Sequence, residues 1–137
     1  MARKAVWIVS ILLLLNTGGL GVYNGITELH DAKTVLQRSV TVGVLIYGVL
    51  GLVGAVALVL RKPSAVWLSI VWAIVVTYVA STAALAYAGD DASAGGAIAA
   101  GLGAALIGAL VVWCAWDATR PASLAERLHQ SPSGSQR

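Results

Sequence analysis

The order of polar and apolar positions divides the chain into four long apolar segments. No Asp, Glu, Lys, Arg or His occurs within residues 5–27, 39–60, 65–89 or 92–116. A helix of about 20 apolar residues is long enough to cross the ~30 Å hydrocarbon layer of a bilayer. The pattern therefore predicts four membrane-spanning helices, at about residues 5–23, 39–60, 65–88 and 92–116.

Short connections between these segments limit the topology. The sequence Arg61-Lys62-Pro63-Ser64 predicts a tight turn, because proline has no amide donor and ends a helix. Residues 89–91, Gly-Asp-Asp, form an equally short link. The second, third and fourth helices should thus be antiparallel neighbours. The predicted fold is all-α: a polytopic membrane protein whose residues 1–120 form a four-helix transmembrane bundle.

Two segments outside the predicted spans have patterns of their own. In residues 24–38, apolar side chains recur at spacings of three and four, at Ile26, Leu29, Ala32 and Leu36. This periodicity predicts a short amphipathic helix on the outer membrane surface between the first two spans. In residues 121–137, Ser123 and Glu126 fit a capping box for a short cytoplasmic helix. The polar end of the chain that follows is expected to be disordered.

Composition supports a membrane protein. The chain is 58% hydrophobic and 11% charged, whereas a soluble domain has about 25% charged residues. The net charge of +3 does not indicate nucleic-acid binding, because the charges collect at the ends of the apolar segments. The expected surroundings are a lipid bilayer, with no nucleic-acid partner.

The distribution of basic residues predicts the orientation. One side of the predicted bundle has seven Lys and Arg residues and the other has only Lys33 and Arg38. Basic residues are enriched in cytoplasmic loops, so both termini should be cytoplasmic, in a bacterial inner membrane. Aromatic residues, which favour the headgroup region, mark the same boundaries. They are Trp7, Trp67, Trp113 and Trp116 on the inner side, and Tyr23 and Tyr87 on the outer side.

Residues 16–25, NTGGLGVYNG, contain four glycines after a strongly apolar run. A signal-peptide cleavage region is one interpretation, but an A-x-A pattern is missing and cleavage would leave only three spans. A phosphate-binding loop would need glycine at position 24, where Asn24 stands, and a preceding strand. The third interpretation is helix packing in lipid, where small residues let two backbones approach closely. We favour this third interpretation.

Small residues at four-residue spacing occur in three of the predicted helices. Such residues form packing surfaces against other helices of the chain, of a second copy or of another membrane protein. The predicted packing positions are Gly18, Gly21, Gly25, Gly51, Gly96, Ala100, Ala104 and Gly108. A second row on the fourth helix consists of Gly95, Ala99 and Gly103. The small residues of the second helix are Gly43, Gly48, Gly51, Gly54 and Ala55.

Uncharged polar side chains form one layer in the outer half of the membrane. Its predicted members are Asn16, Thr17, Tyr47, Thr77, Tyr78 and Ser81. In one interpretation the Ser and Thr hydroxyls bond carbonyls of their own helices, while Asn16 and Tyr47 bridge helices. In the other, the layer lines a small polar cavity that opens outward and admits a small neutral or amphiphilic molecule.

No catalytic or cofactor site is predicted. The spans carry no charged residue, which argues against proton-coupled transport through a buried carboxylate and against voltage sensing. His30 and His129 lie on opposite sides, so they cannot bind a haem together. No metal site is predicted either, and the weak candidates for one are the outer residues Glu28, His30, Asp31, Asp90 and Asp91.

Three classes of function remain after these exclusions. The leading hypothesis is a non-enzymatic accessory or assembly subunit that packs against partner helices through its Gly and Ala faces. The alternative is a small transporter or channel subunit that uses the polar outer layer as a homo-oligomer. A membrane enzyme is the third class, and no residue pattern favours it.

Overall fold

The computed structural model describes residues 2–87 and 93–120, which form four α-helices with no strand among them. The helices are α1 (Ala2–Glu28), α2 (Val35–Val59), α3 (Ser64–Ala86) and α4 (Ala94–Thr119). Each is long and apolar enough to cross a membrane. The prediction of an all-α fold with four spans is confirmed. The 89–91 link and the tail with Ser123 and Glu126 lie outside the described residues.

The predicted separate helix within residues 24–38 is wrong. α1 continues through Glu28, a turn follows, and α2 already begins at Val35. The physical reason is a capping box: the Thr34 hydroxyl accepts a hydrogen bond from the Gln37 amide at 3.1 Å. The Gln37 side-chain oxygen in turn accepts one from the Thr34 amide at 3.2 Å. This reciprocal cap fixes the start of α2. Ile26 therefore belongs to α1 and Leu36 to α2, while Leu29 and Ala32 lie in the turn between them.

The turn between α2 and α3 is as tight as predicted. The Lys62 amide donates to the Ala57 carbonyl at 3.0 Å and the Arg61 amide to the Leu58 carbonyl at 3.2 Å. These two bonds form a Schellman motif, which satisfies carbonyls at the end of α2. Arg61 has a φ of 50°, in the left-handed region where such a motif usually has glycine. Its guanidinium lies 5.7 Å from the centre of the Trp7 ring.

The helices pack in chain order: α1 on α2, α2 on α3, and α3 on α4, with only a small contact between α1 and α4. The bundle is therefore an open row of helices rather than a closed ring. We call the end at which a turn joins α2 to α3 the Arg61 end, and the end at which a turn joins α1 to α2 the Lys33 end. Each of the two outer helices, α1 and α4, has one large face that none of the other described helices covers.

The hydrophobic core lies nearer the Arg61 end. Its fully buried members include Leu14 of α1, Leu58 of α2, Trp72 of α3 and Ala115 of α4. All four helices contribute to this cluster. Towards the Lys33 end, contacts between small residues hold the helices together in pairs.

Candidate functional site

The hydroxyl groups of the predicted polar layer are satisfied within their own helices. Thr17 donates to the Leu13 carbonyl at 2.7 Å, and Thr77 donates to the Ala73 carbonyl at 2.7 Å. Ser81 donates to the Thr77 carbonyl at 3.0 Å. Bonds of this kind are the usual way to accommodate Ser and Thr in a membrane helix. These three side chains have the geometry expected if the hydroxyls of the layer bond only carbonyls of their own helices.

The other three members of the layer lie on different surfaces. Asn16 is exposed near the middle of α1, on the side away from the bundle. Tyr47 is half-buried, and its ring borders the position of Gly21 between α1 and α2. Tyr78 is exposed, and its hydroxyl lies 3.2 Å from the Ser39 hydroxyl of α2. The six residues therefore lie on several different surfaces, and neither of the two grooves described below contains more than one of them.

The described candidates for metal binding lie at the Lys33 end. Glu28 is the last residue of α1, and His30 and Asp31 are in the turn that follows. Glu28 and Asp31 border a small pocket together with Lys33. Within residues 2–87 and 93–120, no three His, Cys, Asp or Glu side chains come close enough to hold a metal ion. Asp90 and Asp91 lie outside the described residues.

The predicted packing glycines of α1 contact α2 of the same chain. A Cβ atom on Gly18 would lie 2.9 Å from the Leu52 amide nitrogen, and one on Gly21 would lie 3.0 Å from the Gly48 Cα. Gly25 lies directly against Leu45. Gly51 faces back towards the Leu14 carbonyl, which would be 3.1 Å from its Cβ. These glycines build the α1–α2 pair and are not available to a partner.

The predicted packing row of α4 is used unevenly. Gly108 is buried against Ala73 of α3, while Ala100 and Ala104 are half-buried. Gly96 is exposed at the start of the helix, where its amide donates to the Ser93 hydroxyl at 3.0 Å. Gly101, which was not among the predicted positions, packs against Ser81. The face of α4 towards α3 is thus formed by every third or fourth residue from Ala97 to Ala115.

The second row of small residues on α4 is open. Gly95 and Gly103 have nothing within 4 Å of the position of a Cβ atom, and Ala99 between them is exposed. At 100° per residue, this row lies opposite the face that packs on α3. We call Gly95, Ala99 and Gly103 the α4 stripe. Nothing in the described chain covers it.

A groove of about 790 Å³ lies between α2 and α3 at the Lys33 end. Val42, Ile46 and Ile74 are among the apolar residues of its wall. The end of the groove has polar side chains instead: Lys33, Arg38, Ser39 and Tyr78. Of the predicted polar layer, only Tyr78 borders this groove. Sequence reasoning did not find it, although Lys33 and Arg38 were already notable as the two basic residues on their side.

A second groove, of about 580 Å³, lies between α3 and α4 and extends towards the Arg61 end. Its wall is almost entirely apolar and includes Ala73, Ala105 and Ala109, with Trp113 and Trp116 at one end. The exposed Ile74 borders both grooves. This second groove has the shape for an acyl chain or a helix. No charged residue lines it, so its charges do not indicate which of the two it binds.

Three buried polar atoms have no hydrogen-bond partner among the described residues. They are the indole nitrogens of Trp7 and Trp72 and the hydroxyl of Ser69. Trp72 and Ser69 are one turn apart on α3, where both are fully buried. Both therefore belong to the core, and neither opens into one of the grooves.

These features define the class of protein: a small multi-pass integral membrane protein with four apolar spans. Comparison with known proteins adds no relative, since no family model, curated protein or solved structure matches the chain. Its function has to be inferred from its own surfaces.

Proposed function

We propose that the protein is a non-enzymatic accessory or assembly subunit whose α4 binds a helix of another membrane protein. The observation that carries this proposal is the α4 stripe, an uncovered row of small residues directly opposite the face that packs on α3. Helix association in lipid depends on close packing, and small residues at four-residue spacing allow it. The same chain already uses glycines in this way between α1 and α2.

The residues that surround the α4 stripe fit the same role. Leu102 and Leu106 are exposed on the same side of α4, so they would lie along the flank of a helix seated on the stripe. Dispersion contacts between such side chains and a partner supply the attraction, because lipid tails provide no hydrophobic driving force between helices. The proposed location is a bacterial inner membrane with both termini in the cytoplasm. Seven basic residues on the side of the termini against two on the other side support it.

A Gly103→Leu substitution is expected to remove the partner while the fold persists. A leucine there would project from an open position into the space that a partner helix would occupy. Gly19→Leu is the matched control, because Gly19 on α1 also has nothing within 4 Å. Native mass spectrometry of gently extracted protein should show a complex with a second protein in wild type and in Gly19→Leu, and not in Gly103→Leu. A complex that survives Gly103→Leu would contradict the proposal.

The alternative function, a transporter or channel subunit that acts as a homo-oligomer, is favoured by one observation. Asn16 exposes its amide at the middle of α1, where hydrocarbon offers no hydrogen-bond partner. An amide both donates and accepts, so Asn16 of two copies could bond each other across a two-fold axis. Gly19 lies one turn further on the same side and is open, which would let the two copies of α1 approach. A polar path would then run along the interface between subunits.

An Asn16→Leu substitution tests this alternative. Interhelical hydrogen bonds in membranes contribute about 0.6–2 kcal/mol, so loss of a reciprocal pair should weaken a homodimer by about 3- to 30-fold. Thr17→Val is the control, because the Thr17 hydroxyl is bonded within its own helix. Dimer dissociation can be followed by energy transfer between labelled copies in vesicles at decreasing protein-to-lipid ratio. Identical dissociation of wild type and Asn16→Leu would exclude a homo-oligomer built on Asn16.

A further inference from the structure

The groove between α2 and α3 combines a cationic end with an apolar wall. Lys33 and Arg38 are both exposed at the Lys33 end of the groove. From there, Val42 and Ile46 follow Arg38 at intervals of one turn along α2. At 1.5 Å per residue, the distance from Arg38 to Ile46 along the helix is about 12 Å. The groove therefore runs from the expected headgroup level into the hydrocarbon region.

We propose that this groove binds one anionic phospholipid, with its phosphate at Arg38 and an acyl chain along Val42 and Ile46. The groove opens sideways between two spans and so faces the bilayer. Basic pockets between membrane helices are suited to acidic headgroups. The apolar wall matches an acyl chain, whereas a free inorganic anion would leave this wall uncovered. The site lies on α2 and α3 and is separate from the α4 stripe.

The two charged residues that border the groove, Lys33 and Arg38, are both basic and favour an anion. The side of the bundle opposite the termini has two basic residues in all, and both of them border this groove. α2 begins at Val35, so the positive end of its dipole points to the same place. Lys33 also borders the small pocket that contains Glu28 and Asp31, which offset part of its charge. Arg38 is consequently the main ligand, and its planar guanidinium can hold two phosphate oxygens at once.

Two hydroxyl groups complete the polar end of the groove. The Ser39 and Tyr78 hydroxyls lie 3.2 Å apart and bridge α2 to α3. Since one hydroxyl donates to the other, the accepting hydroxyl keeps its own hydrogen free for a phosphate oxygen. The groove also depends on Gly43, where a Cβ would lie 2.6 Å from a methyl group of Val79. The missing side chain at Gly43 lets α3 approach and leaves the floor of the groove flat.

The test is a titration of the purified protein with phosphatidylglycerol or phosphatidylcholine of identical acyl chains, read by native mass spectrometry. Wild type should bind the anionic lipid preferentially. Arg38→Gln should lower the affinity for phosphatidylglycerol about tenfold, the factor expected for one charge-assisted hydrogen bond. Arg120→Gln is the control: it makes the same change at another exposed arginine, at the Arg61 end, and should leave the affinity unchanged. Equal binding of the two lipids by wild type, or equal effects of the two substitutions, would overturn the proposal.

A second pair of variants separates a lipid from a free anion. Ile46→Trp should fill the apolar part of the groove and weaken phosphatidylglycerol binding while Lys33 and Arg38 remain. Val53→Trp places the same side chain at another exposed position of α2 that does not border the groove, and it should have no effect. If Arg38→Gln weakens binding but Ile46→Trp does not, the groove binds only the headgroup charge, and the proposed acyl-chain site is wrong.

Discussion

Gly48→Ala is expected to destabilise the folded protein by about 1–3 kcal/mol or more, the range for an extra methyl group in a well-packed core. A Cβ on Gly48 would lie 2.7 Å from the Val22 nitrogen and 2.9 Å from the Gly21 carbonyl carbon. Both are backbone atoms of α1, so no side chain can rotate away to make room. α1 and α2 would have to separate, and they would lose the dispersion contacts that hold helices together in lipid.

Two other glycines of α2 provide a graded series with the same substitution. A Cβ on Gly51 would lie 3.1 Å from the Leu14 carbonyl oxygen, so Gly51→Ala should cost less than Gly48→Ala. A Cβ on Gly54 would have its nearest neighbours at 4.0 Å, an ordinary contact. Since alanine favours a helix over glycine by about 1 kcal/mol, Gly54→Ala should be neutral or stabilising.

Unfolding of the three variants in mixed micelles of increasing SDS content measures this order. Far-ultraviolet circular dichroism and tryptophan fluorescence should give midpoints that fall from Gly54→Ala through Gly51→Ala to Gly48→Ala. Equal midpoints for Gly48→Ala and Gly54→Ala would show that α1 and α2 are not in backbone contact at Gly48.

The same contact shows what the sequence could predict about packing. Charge-free segments of the right length identify membrane helices reliably, because a charge in hydrocarbon is costly. Spacing of glycines by three and four residues also predicts that Gly18, Gly21 and Gly25 lie on a packing surface. It does not predict which helix covers that surface, since the partner depends on how two helices cross. Gly48 was predicted only as one of several small residues of the second helix, and the spacing did not mark it as the point where the α1 and α2 backbones come closest.

Helix ends were predicted less well than helix positions, for a related reason. Hydropathy marks where the chain enters lipid, whereas capping and turn residues decide where the helical backbone stops. α1 continues five residues past Tyr23, to Glu28, and α2 starts four residues before Ser39 because Thr34 and Gln37 cap it. The predicted surface helix was wrong because both spans extend into this segment and leave only a short turn at residues 29–34. Two of its four apolar residues, Leu29 and Ala32, lie in that turn, so the spacing was not that of one helix.

A position along each helix can be estimated for the polar residues from the sequence, but their direction around the helix cannot. Asn16 and Thr17 are adjacent in the sequence and so point about 100° apart. Thr17 is half-buried and bonded to its own helix, whereas Asn16 is exposed. The grouping of six polar residues used depth alone and therefore collected side chains from different surfaces. To predict the groove near Arg38, one would have to know which faces of α2 and α3 diverge, and the sequence does not contain this information.

Trp72→Ala is expected to have the largest effect of any single side-chain truncation in the core. Trp72 is the largest fully buried side chain, with 1% of its surface exposed. Its indole nitrogen lies 3.2 Å from where a Cβ of Gly51 would be, so the ring fills the space next to the α2 backbone. Truncation of a buried aromatic residue costs about 3–5 kcal/mol, because the surroundings collapse only partly into the cavity.

Trp67→Ala is the matched control for this cavity. Trp67 is on the same helix but is 71% exposed, so its truncation should change the unfolding midpoint much less. Loss of Trp72 should also shift the tryptophan emission of the folded protein to longer wavelength, because it removes a fully buried indole. Equal loss of stability in both variants would contradict the position of Trp72 in the core.

Trp72→Phe separates the ring volume from the indole N–H. The Trp72 nitrogen has no hydrogen-bond partner among the described residues, and an unpaired buried donor costs about 1–3 kcal/mol. Phenylalanine keeps a six-membered aromatic ring but loses the five-membered ring with its N–H. The lost volume destabilises the protein and the removed donor stabilises it, so the two effects oppose each other. Trp72→Phe should therefore lose less than half the stability that Trp72→Ala loses. A loss as large as that of Trp72→Ala would mean that the indole N–H has a partner in the folded protein, and that α3 is held at this point by a hydrogen bond as well as by packing.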